Sequence, residues 1–136
     1  MIEWIQNFFS GAIPKLLLNA TLETLYMTFV STALAFILGL VLAIVLILTR
    51  RGGLCENRIV YAVLDVVINT LRSFPFIILL IVLFPLTKLL VGTSIGTTAA
   101  IVPLTIGSAP FIARLIESAL LEVDSGVIEA AKSFGA

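Results

Sequence analysis

The stretch TLYMTFVSTALAFILGLVLAIVLIL, residues 24–48, decides the fold class of this chain. It runs for 25 residues without a charged side chain. A helix of that length is about 37 Å long at about 1.5 Å per residue, and the apolar layer of a bilayer is about 30 Å thick. The stretch therefore predicts a first membrane-spanning helix, and an all-α membrane protein is the expected fold class.

Small side chains recur at every fourth position of this span, and residues four apart lie on the same face of a helix. Such a strip lets a second helix approach closely, although small residues are also common in membrane helices that have no such partner. We favour the packing interpretation. The strip consists of Ser31, Ala35, Gly39 and Ala43.

The composition of the whole chain agrees with a membrane location. Of its 136 residues, 60% are hydrophobic and 12% are charged, whereas about 25% are charged in soluble domains. Eight basic and eight acidic side chains cancel, so no basic field exists to recruit nucleic acid. The chain has one cysteine, Cys55, and no histidine, which excludes a disulfide framework, a Cys/His metal site and histidine acid–base catalysis.

The first 20 residues are typical of a helix that lies on the membrane surface. Apolar residues recur there at roughly helical spacing, and Gly11 and Pro14 interrupt the pattern. Because no basic region or small-residue cleavage site precedes the first long apolar run, we do not expect a cleaved signal peptide. Residues 19–21 match a glycosylation sequon, but we favour a helix cap there, with Glu23 in the first turn of the span.

The distribution of basic residues predicts the orientation in the membrane. Arg50, Arg51 and Arg58 lie in one short polar loop, whereas the loop near residues 88–98 has a single basic residue. Basic loops remain in the cytoplasm. We therefore expect the N-terminus outside the cell and the loop that contains Cys55 inside.

Residues 59–90 form a second apolar region that is too long for one straight crossing. A single helix of its 32 residues would be about 48 Å long. Pro75 disfavours helical geometry at the residue before it, so we predict a kink at residues 73–75. Residues 76–90 are then expected to form the second crossing.

The first half of this region carries polar side chains on one predicted helical face, because steps of four and three residues return to the same side. A charge at the bilayer centre costs about 2.5–3.5 kcal/mol on insertion scales, so these side chains are expected to face protein or a water-filled path. The alternative is a position at the cytoplasmic interface, where the charges reach water. The stripe consists of Arg58, Asp65, Asn69 and Arg72, followed by Pro75, and Arg72 is the strongest functional candidate.

Residues 97–116 predict a third spanning helix, which Pro103, Gly107 and Pro110 interrupt. Unpaired carbonyls at such positions suit a helix that lines a cavity, and a kinked structural helix is equally compatible. Residues 125–136 then predict a short amphipathic helix on the cytoplasmic side. Val127, Ala130, Ala131 and Phe134 share its apolar face, Glu129, Lys132 and Ser133 share its polar face, and Gly135 follows where helices often end in left-handed geometry.

This tail resembles the EAA loop of ABC-importer permeases. The sequence Glu-Ala-Ala at residues 129–131 is followed, after three residues, by Gly135. Arg-Ser-Phe-Pro at residues 72–75 is similar to the Arg-Ser-x-Pro element of the same family. Residues 91–96, VGTSIG, and 100–105, AIVPLT, further resemble the methionine-importer branch. The resemblance covers nearly the whole chain and is tighter after residue 72.

The resemblance implies a type I ABC-importer permease with five spanning helices, of which this chain carries the first three. In that family the EAA loop lies between the third and fourth helices, so we expect the chain to be a piece of a longer permease. Related permeases often have proline where Asp124 stands, but Asp124 or Ser125 is still able to cap the helix. The implied coupling residues are Val127, Glu129, Ala130, Ala131, Phe134 and Gly135.

The resemblance also implies partners in a bacterial plasma membrane. These are two copies of a cytoplasmic ABC ATPase subunit, a second copy of the permease and an external substrate-binding protein. The chain has no Gly-x-x-x-x-Gly-Lys phosphate loop, so ATP and Mg²⁺ are expected on the ATPase subunit and no enzymatic activity is expected here. The implied substrate is an amino acid, D- or L-methionine.

Two other classes of function stay open. A secondary carrier would use Asp65 and Arg72 as an ion relay, but it leaves the tail unexplained. A membrane scaffold would need only the strip of small residues. An apolar chain does not identify its own ligand, because methionine needs only a few polar contacts and an apolar pocket. The choice of substrate therefore rests on the resemblance.

Overall fold

The computed structural model describes residues 1–123 and 125–135, and the regular structure in these residues is helical. Asp124, one of the two predicted caps, and Ala136 lie outside the described residues. In chain order the helices are α1 Ile2–Ser10, α2 Ala12–Thr49, α3 Arg58–Ser73, α4 Phe76–Val82, α5 Phe84–Val91, α6 Thr97–Leu121 and α7 Ser125–Ser133.

Helix α2 begins earlier than the sequence analysis predicted. It starts at Ala12 and has 38 residues. Pro14 lies in its first turn, where a proline is tolerated because the N–H groups there have no partner within the helix. The chain breaks instead at Gly11, whose backbone is extended. The predicted surface segment of residues 1–20 is therefore shortened to α1, and its second half is the start of α2.

The predicted helix cap at residues 19–21 is wrong for the same reason. These residues lie inside α2, where the Thr21 hydroxyl donates a hydrogen bond of 2.7 Å to the carbonyl of Leu17. This is the usual bond of a threonine within a helix.

Helices α2 and α6 form the main pair and run in the same direction. Leu38 borders a cleft together with Ile101 and Ile106, and further along the pair Leu46 packs against Ala113. Later positions on α2 thus meet later positions on α6. Since parallel helices end on the same side, the loop after α2 and the helix after α6 lie on one side of the pair.

The strip of small residues on α2 lies in this interface. Ser31 is 5% exposed, and Ala35 and Ala43 are fully buried. A Cβ atom added to Gly39 would lie 2.7 Å from Cγ2 of Ile112, well inside normal contact distance. The absent side chain is what allows α6 to approach here.

The region 59–90 folds into three helices. Asn57 caps α3, because its side-chain oxygen accepts hydrogen bonds of 3.2 Å from the backbone N–H groups of Ile59 and Val60. The break falls at Pro75, as predicted, but α3 and α4 are bent by 112° relative to each other. The crossing predicted for residues 76–90 is divided into two helices, because the chain breaks again at Leu83, between α4 and α5.

Helix α6 is continuous through Pro103, Gly107 and Pro110, so the predicted interruptions do not divide it. It ends at Leu121, five residues beyond the predicted end. Among residues 1–123 and 125–135, two helices, α2 and α6, are long and apolar enough to cross a membrane, and the bent pair of α3 and α4 is a third candidate if it acts as one span.

Candidate functional site

A small core joins three helices near the end of α2. Leu46 of α2 and Ala113 of α6 are fully buried, and Ile68 of α3 is 1% exposed. Together they fix α3 against the α2–α6 pair, so that polar residues on α3 and α6 face each other.

A polar network lies beside this core and links α3 to α6. Arg114 donates through Nη1 to Oε2 of Glu117 at 2.8 Å, and through Nη2 to Oδ1 of Asn69 at 3.2 Å. It also forms an ion pair with Asp65. The hydroxyl of Tyr61 donates to Oε1 of Glu117 at 3.3 Å. We call these five residues the polar network.

The structure thus divides the predicted polar stripe. It brings Asp65 and Asn69 together around Arg114 but leaves the other two members of the stripe apart. Arg58 borders a cleft of about 390 Å³ at the start of α3, near the loop after α2. Arg72 lies at the far end of α3 and makes no ion pair within residues 1–123 and 125–135.

Three residues of the polar network were not predicted from the sequence as site residues: Tyr61, Arg114 and Glu117. One local signal was present, because Arg114 and Glu117 are three residues apart and therefore share a helical face. Their connection to α3 had no local signal, since it depends on how two helices distant in the sequence pack.

Arg72 contributes to a second feature, an open cleft of about 250 Å³ at the bend between α3 and α4. Pro75 sets this bend, and its carbonyl accepts hydrogen bonds from the N–H groups of Ile78 and Leu79 at the start of α4. We call it the Arg72 cleft. Around Arg72 it is lined by Leu71, Phe74, Phe76, Leu79, Gly107 and Phe111.

Helix α7 presents most of its surface to solvent. Val127 is 61% exposed and Phe134 is 91% exposed, and Glu129, Ala130 and Ala131 are exposed as well. Gly135 has φ of +92°, so the predicted left-handed end of the helix is confirmed.

One side of α7, which carries Ile128 and Lys132, faces the loop after α2. Ile128 and Lys132 border a cleft of about 290 Å³ together with Leu48, Gly53 and Leu54. The cleft fixes which side of α7 remains free, and that free side carries Val127, Ala130, Ala131 and Phe134, the predicted apolar face.

Comparison with known proteins gives consistent matches. Residues 35–136 match the family model described as "binding-protein-dependent transport system inner membrane component". The probable D-methionine transport system permease protein MetI of Vibrio cholerae is 56% identical over 89% of this chain and 54% of its own length. The D-methionine transport system permease protein MetI of Escherichia coli K12 is 50% identical over 89% of this chain and 56% of its own length.

Solved structures agree. Two structures of the MetNI methionine ABC transporter in inward-facing conformations match with TM-scores of 0.83 and 0.87, at 50% and 48% identity. They cover 89% and 93% of this chain, and 56% and 58% of the matched chains. The chain therefore spans little more than half the length of its relatives. By its sequence and its fold, this chain belongs to the family of binding-protein-dependent transport system inner membrane components.

Proposed function

We propose that the chain is the N-terminal part of the permease subunit of an ATP-driven importer, and that it imports methionine as the D or L isomer. The observation that carries this proposal is helix α7, which follows the spanning helix α6 directly and leaves Val127 and Phe134 exposed. An apolar surface on a helix outside the membrane suits contact with another protein. The relatives named for D-methionine transport support the substrate.

In this proposal, α2, the bent pair of α3 and α4, and α6 are the first three of five spanning helices of a type I permease. The N-terminus is outside the cell. The loop after α2, which holds Arg50 and Arg51, is cytoplasmic, and the parallel arrangement of α2 and α6 puts α7 on that same side.

The coupling mechanism follows from how α7 is connected. A cytoplasmic ABC ATPase subunit binds the free side of α7, where Ala130 and Ala131 allow close approach, and the exposed Glu129 on the adjacent polar face offers a carboxylate to a basic or N–H donor. Movement of that subunit displaces the end of α6. The polar network transfers the displacement to α3, and therefore to the bend at Pro75.

The complete importer has two permease copies, two ATPase subunits and an external binding protein. ATP and Mg²⁺ are held by the ATPase subunits, since this chain contributes no phosphate loop. The permease itself supplies the path and performs no chemical step.

Reconstituted uptake tests the function. The full-length permease and its ATPase subunits, in proteoliposomes with the binding protein, are expected to accumulate labelled methionine only when ATP is present inside, because the binding protein docks outside and nucleotide is hydrolysed inside. Uptake that follows an ion gradient without ATP would identify a secondary carrier. Absence of uptake in an assembled, ATP-hydrolysing complex would favour the scaffold.

Variants of α7 test the coupling surface. Gly135→Val places a β-branched side chain at φ of +92°, which costs on the order of 1–2 kcal/mol or more, whereas Gly135→Asn tolerates this backbone and is the matched control. Glu129→Lys reverses the exposed charge next to the free side, and Glu3→Lys makes the same change on α1 as its control. Gly135→Val and Glu129→Lys are expected to insert normally but to retain less ATPase subunit in pull-downs and to transport less. Full association and transport in both would overturn the coupling assignment.

A further inference from the structure

The Arg72 cleft combines one cation with three phenyl rings. Phe74, Phe76 and Phe111 border the same space as Arg72. The nearest carboxylate on α3, that of Asp65, is already paired with Arg114. The guanidinium of Arg72 is therefore a free cation among the residues described by the structure.

The cleft lies beside the middle of α6, a helix that is long and apolar enough to cross a membrane. Gly107 of α6 borders it, and this residue is ten positions after Thr97 and fourteen before Leu121, near the middle of a spanning helix. A cation at this depth must face protein or water, because the hydrocarbon layer does not solvate it. The position of Arg72 beside the middle of α6 favours a role inside the protein over the interfacial alternative.

We propose that the Arg72 cleft binds the transported amino acid, with Arg72 holding the carboxylate and the phenyl rings holding the apolar side chain. This proposal rests on the proposed function and names the binding site within it. A guanidinium donates two parallel hydrogen bonds to a carboxylate, a geometry that lysine does not offer. A thioether sulfur makes favourable contacts with the edges of phenyl rings.

The size of the cleft suits a small amino acid. Its volume of about 250 Å³ lies just below the range of about 300–1,000 Å³ that is usual for small-molecule sites. Gly107 helps to form this space, because a Cβ atom there would lie 3.3 Å from Cδ2 of Leu79 and 3.5 Å from the ring of Phe76.

A lipid phosphate offers the same anionic chemistry as a carboxylate, so the test must separate the two sources. The experiment uses the full-length permease with its ATPase subunits in lipid nanodiscs. All native cysteines are replaced, including Cys55→Ser, and Leu71→Cys reports from the wall of the cleft. The rate at which N-ethylmaleimide alkylates this cysteine is measured with and without methionine.

Methionine is expected to slow alkylation, and methionine methyl ester, which has no carboxylate, is expected not to. Norleucine, which replaces the sulfur with a methylene, should protect at higher concentration. Arg72→Gln should raise the half-protecting concentration about tenfold or more, as expected when a charged hydrogen-bond donor is lost. The half-protecting concentration for Arg72→Lys should lie between those of the parent and of Arg72→Gln. The value for Arg51→Gln, a change in the exposed loop after α2, should equal that of the parent.

Three outcomes would overturn the site. One is equal protection by methionine and its ester, and another is an unchanged response in both Arg72 variants. The third is protection that appears on adding phosphatidylglycerol to phosphatidylcholine nanodiscs and is independent of methionine, which would assign the cleft to lipid phosphate. ATP-driven methionine uptake by the parent complex is measured in parallel. If uptake is intact but methionine does not protect the cysteine from alkylation, only the proposed site is refuted. If uptake is absent, the proposed function is refuted as well.

Discussion

Replacing Arg114 with leucine should destabilise the permease through one specific carboxylate. Arg114 pairs with both Asp65 and Glu117, but these partners differ in exposure. The Glu117 side chain is 7% exposed, whereas that of Asp65 is 37% exposed. Arg114→Leu therefore leaves one charge buried without a cation and another that is partly exposed.

The expected magnitudes follow from that difference. Removing one partner of a buried ion pair costs about 3–5 kcal/mol, because the remaining charge stays in a medium that does not solvate it. A solvent-exposed pair is worth about 0–1 kcal/mol. We expect Arg114→Leu to cost about 3–5 kcal/mol, nearly all of it at Glu117, and Asp65→Asn to cost about 1 kcal/mol or less.

A second substitution tests the assignment to Glu117. In the Arg114→Leu background, Glu117→Gln should recover most of the lost stability. The neutral amide needs no cation, and its oxygen is still able to accept the hydrogen bond from Tyr61. Asp65→Asn in the same background should recover little.

The measurement is thermal denaturation of the purified full-length complex, followed as the fraction that remains monodisperse in size-exclusion chromatography. A loss of about 1 kcal/mol lowers the midpoint of thermal denaturation by about 2–4 °C in a protein of about 150–250 residues. Arg114→Leu should therefore lower the midpoint by roughly 6–20 °C and Asp65→Asn by less than about 4 °C. Arg51→Leu, in the exposed loop, serves as the control. Equal losses for the two variants, or no rescue by Glu117→Gln, would refute the reasoning.

Three further predictions concern other parts of the chain. Cys55 is exposed in the basic loop, so a membrane-impermeant thiol reagent should label it only after spheroplasts are permeabilised, while Ile95→Cys in a cysteine-free background should label from outside; the reverse pattern would invert the topology. Gly39→Val should impair assembly of the permease by about 1–3 kcal/mol of overpacking against α6, measured by the same thermal assay, whereas Val41→Leu on the exposed face should not; equal effects would exclude a tight interface. Asn57→Ala should lower stability by about 1 kcal/mol through loss of the α3 cap, and Asn57→Asp should largely preserve it; identical midpoints for the two variants would argue against capping.

The spanning helices were predictable because their signals are local. The charge-free stretch of residues 24–48 identified α2, and the four-residue spacing within it identified residues that are buried against α6. The start of α2 was predicted too late because Gly11 and Pro14 both interrupt the apolar pattern and residues 19–21 resemble a helix cap, although a proline is tolerated in the first turn of a helix. The break falls at Gly11, whose backbone is extended.

The region after α3 shows a different limit. Pro75 predicted where the helix breaks, since a proline restricts the residue before it, but the angle of 112° between the two helices depends on their packing against α6. The second break was predictable in principle, because Pro85 lies in the first turn of α5 and prolines favour that position. The size of the Arg72 cleft follows from the bend and had no signal in the sequence.

The polar stripe on α3 was correctly placed on one face, yet its chemistry became clear only with α6 beside it. A relay in a secondary carrier would need Asp65 and Arg72 to exchange charge with each other or with a shared ion. In the structure Asp65 is committed to Arg114 across the helix pair, and Arg72 lies two helical turns further along α3, in a separate cleft. A relay would have to break the ion pair that holds α3 to α6 in every cycle. The proposed import mechanism does not require that break, because in it the network keeps the helices together as α7 is displaced and Arg72 is left for the carboxylate. The arrangement therefore favours an importer driven by an ATPase subunit bound at α7 over a secondary carrier driven by ions.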